Sequence, residues 1–557
     1  MDQMRRVRLL GESCVAAGAL LATAWHRGLP AQGGIGAAML AAAAVTGQIG
    51  RRLHDGSASE QHEKRRRMFR PLADDGGVWA AVLVPLTVLA ADGGAGLSRA
   101  GAWALAAALA WAATMAAMEA GTWMRLGASA AGVAFLGWSG GAAALGLQPG
   151  TGTLALAGAA VAAHGATELL VRKLPRSFTL GEAAVAVQGA VIVAADLAAR
   201  VVVRPAAVTD TQMATLLVEA VCAGLALLAL LLAYVPARPA WVCAATATSA
   251  AAALLLAAAA SDVHPLAWVA KVAFGCRSHM LVLGWWLVLA AASAMLCVRG
   301  ERAELHSKRS GPPSSRLETP VPRATHPTTL ALHVRRKAWH LAVVLAVVPG
   351  YAWARTMLCI ALAAALAAFV VAEAVRVRGM APVAVPLGRF LGRFTDARDA
   401  GRVVTSHFHL LLGCAVPVWV HPSQPVAALA GVLALGVADS AASLAGLGWG
   451  SRRWPASSKT VEGSAAFAAS LFAATELTAR VADVPGSWEA RLATSVVLAL
   501  LEAATEQNDN MLLPLTMAAL ARVPPLPAVA LLLLSTAAAL APLRFAHARL
   551  RAVAPVA

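Results

Sequence analysis

Residues 425–463 read "PVAALAGVLALGVADSAASLAGLGWGSRRWPASSKTVEG". The first part of this stretch is apolar and long enough to cross a bilayer as a helix, which takes about 20 residues. The second part places two arginines, a lysine, a glutamate and a proline in one short loop. An apolar helix that ends in a charged loop is typical of a membrane protein, so we ask whether the pattern recurs along the chain.

The whole chain repeats this pattern. Of its 557 residues 59% are hydrophobic and 13% are charged, and the mean hydropathy is +0.67, which excludes an ordinary soluble globule. Apolar stretches of spanning length recur from end to end, among them 181–203, 212–235, 239–260, 279–298 and 356–375. The sequence therefore predicts an all-α polytopic membrane protein with about 15 to 18 transmembrane helices.

The net charge of +17 comes from lysines and arginines in the loops between these spans. The basic loops 51–70, 299–337 and 376–402 are separated by even numbers of predicted spans, so they lie on one side of the bilayer together with the loop 450–464. By the positive-inside rule that side is cytosolic. The basic excess thus reports membrane topology and does not indicate a nucleic-acid partner.

Composition divides the chain into three parts. Residues 301–335 are rich in Pro, Ser, Thr and charge and predict a cytosolic linker. Residues 1–300 form an N-terminal transmembrane region with few polar residues, which we expect to shape a lipid groove and to carry no chemistry. Residues 336–545 form a C-terminal transmembrane region with the denser polar clusters. The N-terminal "MRRVRLL" resembles a cleavable signal, but a retained first helix is favoured.

Small residues line one face of the span 425–447. Gly436, Asp439, Ser443, Gly446 and Gly450 recur at intervals of three and four residues. One interpretation is a packing seam between helices. The other is a bare face that lets a ligand approach and places the Asp439 carboxylate beside a metal or phosphate.

The charged loop that follows leads into the next apolar helix. Lys459 and Thr460 stand where this helix begins, and its unpaired N–H groups with Lys459, Arg452 and Arg453 would make a cradle for a polyphosphate. The loop lacks the G-x-x-x-x-G-K-[ST] pattern of a Walker A site. The alternative interpretation is a basic cytosolic turn with Glu462 as a first-turn helix acid.

A further acidic segment, "LEAATEQNDNMLLPL", lies at 501–515. The spacing of Glu502, Glu506 and Asp509 predicts one acidic helix face. If the span 461–480 leads away from the cytosol, the span 490–507 returns to it. These acids should then meet Asp439 and Lys459 at one membrane depth.

These motifs resemble the dolichol kinase family, which is related to phytol kinases and CDP-diacylglycerol synthases. The similarity covers about 335–520. It rests on the aspartate, glycines and K-T-x-E-G of "DSAASLAGLGWGSRRWPASSKTVEG" and on "EAATEQNDNMLLPL". Upstream residues also match: Lys337, His340, Glu373, Arg376, Asp396, Arg398, Asp399, Gly401 and His407. Ser458 stands where another lysine is expected.

The resemblance implies transfer of the γ-phosphoryl group of CTP to dolichol, or a related polyprenol, in the endoplasmic reticulum membrane, feeding lipid-linked glycan synthesis. It implies four catalytic residues: Asp439, Lys459, Glu502 and Asp509. Mg²⁺ would be held by Asp439 and Asp509, and either Asp439 or Glu502 would accept the hydroxyl proton. CTP would be bound by Gly446, Gly450, Arg453, Trp454, Pro455, Lys459, Thr460, Glu462 and Gly463. The alternatives are a CDP-lipid synthase (a cytidylyltransferase) and a transporter, although no internal repeat favours a transporter.

Overall fold

The computed structural model describes residues 84, 87, 88 and 149–521, except 203–207, 262, 311–328, 393, 394, 396–398, 400, 455, 456, 458 and 506. The described residues form fifteen α-helices and one π-helical segment, Val432–Asp439. The α-helices are α1 (Pro149–Lys173), α2 (Leu180–Val202), α3 (Asp210–Tyr234), α4 (Pro239–Ala259), α5 (Pro265–Phe274), α6 (Arg277–Ser310), α7 (Thr329–Trp353), α8 (Arg355–Val377), α9 (Ala384–Leu391), α10 (Ser406–Val420), α11 (Pro425–Ala428), α12 (Ser440–Gly448), α13 (Val461–Val481), α14 (Trp488–Ala504) and α15 (Asp509–Leu520).

Local sequence explains where many of these helices begin. Alanine and leucine, which fill the helix interiors, are strong helix formers. Proline occupies the first position of α4, α5 and α11, where its missing N–H costs nothing. Hydroxyl or amide side chains cap four other helices by accepting a hydrogen bond from a first-turn N–H, namely Thr209, Thr460, Ser487 and Asn508.

Five helical stretches in the described part of the chain are long and apolar enough to cross a membrane: 180–202, 210–234, 239–259, 277–295 and 355–377. Their bounds agree with five predicted spans. Large apolar side chains on their outer faces are exposed, as at Leu255 (69%) and Leu281 (66%), which is the surface that lipid covers. The chain is therefore a multi-pass α-helical membrane protein. The predicted total of about 15 to 18 transmembrane helices includes spans that lie outside the described residues.

The predicted linker 301–335 is longer than the one the structure leaves room for. Helix α6 continues to Ser310 and α7 already begins at Thr329. The reason is that "ERAELHSK" consists largely of good helix formers, so a helix that already exists propagates through it. Only 311–328, which lie outside the described residues, remain available for a linker.

The two regions on either side of this segment share one core. Helix α3 packs against α8 as well as against α4 and α2. The centre of the core lies in the C-terminal region, where Phe467 and Leu471 of α13 meet Val497 and Leu498 of α14 and Leu513 of α15, all of them fully buried. The polar residues described next stand at the ends of these core helices.

Candidate active site

Asp439 ends the π-helical segment and faces α7. A π-helix leaves backbone carbonyls without their usual partners and often occurs at functional sites. Here His340 Nδ1 lies 3.1 Å from the Leu435 carbonyl, and Lys337 Nζ donates to the Asp439 carbonyl at 3.1 Å. The Asp439 carboxylate forms an ion pair with Lys337 and lies 3.4 Å from His340 Nδ1. The structure thus gives Asp439 two partners from a helix about 100 residues upstream.

The charged loop 449–460 folds back on itself as a small hairpin. Arg453 and Thr460 form an antiparallel bridge, and Trp454 N donates to the Lys459 carbonyl at 3.0 Å. Glu462 closes the base, accepting hydrogen bonds from Ser451 Oγ at 2.6 Å and from the Arg452 N–H at 3.2 Å. The carboxylate of Glu462 therefore holds the loop in shape.

The glycines of this motif contact protein atoms. A Cβ on Gly446 would lie 3.0 Å from Thr460 Oγ1, one on Gly463 would lie 2.9 Å from the same atom, and one on Gly450 would lie 2.8 Å from Thr460 Cγ2. A Cβ on Gly436 would overlap Val344 Cγ2 of α7. The packing-seam interpretation thus accounts for these glycines, which let Thr460 and α7 approach closely.

The first N–H groups of α13 already have partners within the protein. The Gly463 N–H donates to Thr460 Oγ1 at 3.1 Å, and the Val461 N–H donates to the Arg452 carbonyl at 2.8 Å. The expectation that the helix start itself supplies phosphate donors is thereby weakened, because the cap and the hairpin use these donors. Side chains remain for that role, since Arg452 and Arg453 are exposed. Pro455 lies outside the described residues.

The predicted single helix face of Glu502, Glu506 and Asp509 is wrong. Helix α14 ends at Ala504, Thr505 is extended, and Asn508 caps a new helix that begins at Asp509. Polar side chains cause the break by bonding the local backbone, since Thr505 Oγ1 accepts from Gln507 N and Asn508 Oδ1 accepts from Asn510 N, both at 3.1 Å. Glu506 lies outside the described residues.

Glu502 and Asp509 nevertheless both lie close to Lys459. Its ammonium group pairs with Glu502 and lies 3.9 Å from Asp509 Oδ2. Burial alone would lower the pKa of Lys459, but the charges of Glu502, Asp509 and Asp439 together raise it above its ordinary value. Lys459 is therefore protonated, with Glu502 and Asp509 beside it and the charge of Asp439 adding to theirs. The structure thus brings Lys459 beside Glu502 and Asp509, as the helix directions predict.

The charges of this cluster do not cancel. Three carboxylates, Asp439, Glu502 and Asp509, face two ammonium groups, Lys337 and Lys459, so one negative charge is in excess when His340 is neutral. In the described part of the chain no group of three or more His, Cys, Asp or Glu side chains could hold a metal ion alone. Two carboxylates with the phosphates of a nucleotide suit Mg²⁺, which rarely has an all-protein cage.

A second polar cluster lies at the start of α10. Glu373 accepts two hydrogen bonds from Arg376, at 2.7 and 2.6 Å, and one from Val404 N at 2.7 Å. Asp399 accepts from the Thr405 N–H, the Ser406 N–H and Ser406 Oγ at 2.8–3.1 Å. These family-matched residues hold the loop before α10 in place. Asp396 and Arg398 lie outside the described residues.

Two residues of the N-terminal region, to which the sequence assigned no role, also support the site. Thr179 and Glu182 form a capping box at the start of α2, with two reciprocal bonds of 3.1 Å. Thr179 Oγ1 also donates to Gln507 Oε1 at 2.8 Å, and Asn508 N donates to Glu182 Oε1 at 3.2 Å. The N-terminal region thus holds the turn that carries Asp509. The only signal in the sequence was T-x-x-E before an apolar run.

The fold and the site define a multi-pass membrane protein with a charged cluster at the ends of its helices. Residues 167–411 match the family described as dolichol kinase. The human dolichol kinase is 32% identical over 269 residues, which are 45% of this chain and 46% of the human protein. These matches make the chain similar to dolichol kinases over a little less than half of its length. The family match begins far upstream of residue 335, so the similarity reaches further into the N-terminal region than expected.

Relatives occur in plants and fungi as well. The Arabidopsis thaliana dolichol kinase EVAN is 37% identical over 189 residues, 32% of this chain and 33% of the plant protein. The dolichol kinase sec59 of Schizosaccharomyces pombe is 29% identical over 264 residues, 45% and 49% of the two chains. The aligned part of the chain spans about half the length of the human and fission-yeast relatives or less. No solved structure matches the chain.

Proposed function

We propose that this protein transfers the γ-phosphoryl group of CTP to the hydroxyl group of dolichol or a related polyprenol, with dolichyl phosphate and CDP as products. The observation that carries the proposal is that Lys459, just before α13, pairs with Glu502 and lies 3.9 Å from Asp509 at the ends of α14 and α15, in a chain similar to dolichol kinases. Phosphoryl transfer depends chiefly on charge neutralisation and alignment, and a cluster of this kind provides both.

The roles of the residues follow from their charges. Lys459 is already protonated beside the carboxylates, so it neutralises the phosphate oxygens of CTP, with the exposed Arg452 and Arg453 at the mouth of the loop. Asp439 and Asp509 would hold Mg²⁺ together with those phosphates. When bound, this ion supplies charge neutralisation of the β- and γ-phosphates. Lys337 and His340 orient the Asp439 carboxylate.

We place the site on the cytosolic side of the endoplasmic reticulum membrane. The basic loops 51–70, 299–337 and 376–402 and the hairpin 449–460 share one side by the positive-inside rule. A nucleotide from the cytosol and a lipid alcohol from the bilayer could both reach a cluster at this boundary. The product would feed lipid-linked glycan synthesis for protein glycosylation.

The purified protein in lipid vesicles tests this function with CTP that is labelled in either the α- or the γ-phosphate. We expect label in the polyprenol product from γ-labelled CTP only, and CDP as the nucleotide product. Label from α-labelled CTP with release of pyrophosphate would establish a cytidylyltransferase instead. If neither label enters lipid across polyprenols of several lengths, the proposal is wrong.

Glu182→Gln is expected to lower turnover about tenfold through the turn before Asp509, since Glu182 accepts a hydrogen bond from Asn508 N. The amide can accept only one of the two N–H bonds that the carboxylate accepts, and an unsatisfied buried group costs about 1–3 kcal/mol. The lost hydrogen bond should destabilise the turn 505–508, so amide hydrogen exchange in this turn should become faster. Glu168→Gln, which breaks an exposed pair with Arg172 on α1, is the matched control and should change neither. Unchanged turnover in Glu182→Gln would contradict this role.

A further inference from the structure

An apolar cavity of about 490 Å³ lies between α6, α7, α8 and α10. Most of its lining is aliphatic or aromatic, with Trp286 and Leu289 of α6 facing Leu358, Ala365 and Phe369 of α8 and Leu411 of α10. Its volume falls within the range of small-molecule sites, about 300–1,000 Å³. Two of the lining helices, α6 and α8, are among those long and apolar enough to cross a membrane. The cavity is therefore walled in part by helices that lipid would surround.

The cavity borders the charged cluster at two points. His340 lines the cavity and also lies 3.4 Å from the Asp439 carboxylate. Asn510 lines it as well and directly follows Asp509 in the chain. Ser406 and His407, which the Asp399 loop holds in place, add further polar atoms to the wall. The cavity is thus an apolar chamber with polar groups beside the reactive carboxylates.

We propose that this cavity binds the hydroxyl-bearing end of the polyprenol, with the hydroxyl group at His340 and next to Asp439. The inference rests on the proposed function and specifies where its lipid substrate lies. An isoprenoid chain matches the aliphatic and aromatic walls, and its one polar atom matches the few polar residues where the cavity meets the cluster.

This position also assigns the proton acceptor. A carbonyl oxygen can only accept a hydrogen bond, so the contact with Leu435 O places a proton on His340 Nδ1. Neither Asp439 nor Glu502 lines the cavity, but Asp439 Oδ2 lies 3.4 Å from the lining residue His340, whereas Glu502 is paired with Lys459. Asp439 is therefore the carboxylate that takes the hydroxyl proton. As it does so, the hydroxyl oxygen bonds to the γ-phosphorus, and the bond from that phosphorus to the bridging oxygen of CDP breaks.

In the N-terminal region only α6 contributes to the described lining, so the groove belongs mainly to helices after residue 335.

The kinetic test compares Ala365→Phe with Ala364→Phe. Ala365 lines the cavity, whereas its neighbour Ala364 is exposed on the outside of α8 and is absent from the lining. A phenyl group inside the cavity should raise the KM for polyprenol at least about tenfold, since even one methylene in a tight apolar pocket changes specificity by about 10–200-fold. The KM for CTP should stay within about twofold. Ala364→Phe should behave as the unmodified protein. Equal polyprenol KM values in the two variants would overturn the assignment while the kinase function stands.

A photolabelling experiment tests the cavity without requiring phosphoryl transfer. The probe is a polyprenol that carries a diazirine in the isoprene unit next to the hydroxyl. We expect labelled peptides from α7, α8 or α10, competition by unlabelled polyprenol, and loss of label in Ala365→Phe or, if that variant does not fold, in Ala361→Phe. Label confined to α2, α3 or α4 would refute the site. Labelling at the cavity in a protein that transfers no phosphate would reject the proposed function and retain the lipid site.

Discussion

Asp439→Asn will lower the rate of phosphoryl transfer by about 100-fold or more, the usual cost of removing one preorganised charge-stabilising group. The substitution keeps the volume of the side chain and an oxygen that can accept hydrogen bonds from Lys337 and His340. It removes the charge that, in the proposed function, would hold the cation and take the proton. The measurement is the initial rate at saturating CTP and polyprenol. Ser440→Ala, at the next residue, is the control for local disturbance of the helix and should retain most of the activity.

A double-mutant cycle with Asp509→Asn tests whether Asp439 and Asp509 act on the same cation and nucleotide or act independently. If both carboxylates serve one cation and one nucleotide, the second substitution will cost much less in the background of the first. The apparent requirement for Mg²⁺ should rise in each single variant. Multiplicative losses in the double variant would show that the two residues act separately, and the assignment of one cation site to both would then be withdrawn.

Lys459→Ala is expected to depress turnover and to raise the KM for CTP, with a combined loss of about 10- to 150-fold, because a charge-assisted phosphate contact is worth about 1.5–3 kcal/mol. The structure adds an effect on stability that the sequence did not suggest. Only a third of the Lys459 side chain is exposed, and its partner Glu502 is 3% exposed, so the alanine variant leaves a buried carboxylate without its cation. The melting temperature should fall together with the activity.

The variant Lys459→Ala/Glu502→Gln distinguishes these two effects. Removal of the orphaned charge should restore much of the melting temperature, because the buried carboxylate becomes a neutral amide. Activity should remain low, because the phosphate contact is still missing. Arg452→Ala, in an exposed side chain of the same loop, should leave the melting temperature unchanged. Recovery of activity in the double variant would mean that Lys459 serves stability alone.

Helix positions could be predicted well from the sequence, because hydropathy and helix propensity act over a few neighbouring residues. The predicted spans 181–203, 212–235, 239–260 and 356–375 agree with α2, α3, α4 and α8 within a few residues. The exceptions arise where polar side chains compete with the helix or extend it. Thr505 and Asn508 break the predicted acidic face, whereas the helix-forming residues after 300 lengthen α6 into the expected linker.

The sequence alone determined the membrane class, the basic loop before α13 and the acids near the end of α14 and the start of α15, because each of these features depends on residues that are adjacent in the chain. Only the tertiary structure decided which groups meet. Lys337 lies 102 residues from Asp439, Glu182 lies 326 residues from Asn508, and the cavity needs walls from several separate helices. The physical reason is that the apolar faces of many helices are nearly equivalent in composition, so a local sequence pattern does not predict which helices pack against each other. Those partners follow from close packing, such as that of Gly436 against Val344, which brings α7 to the carboxylate of Asp439.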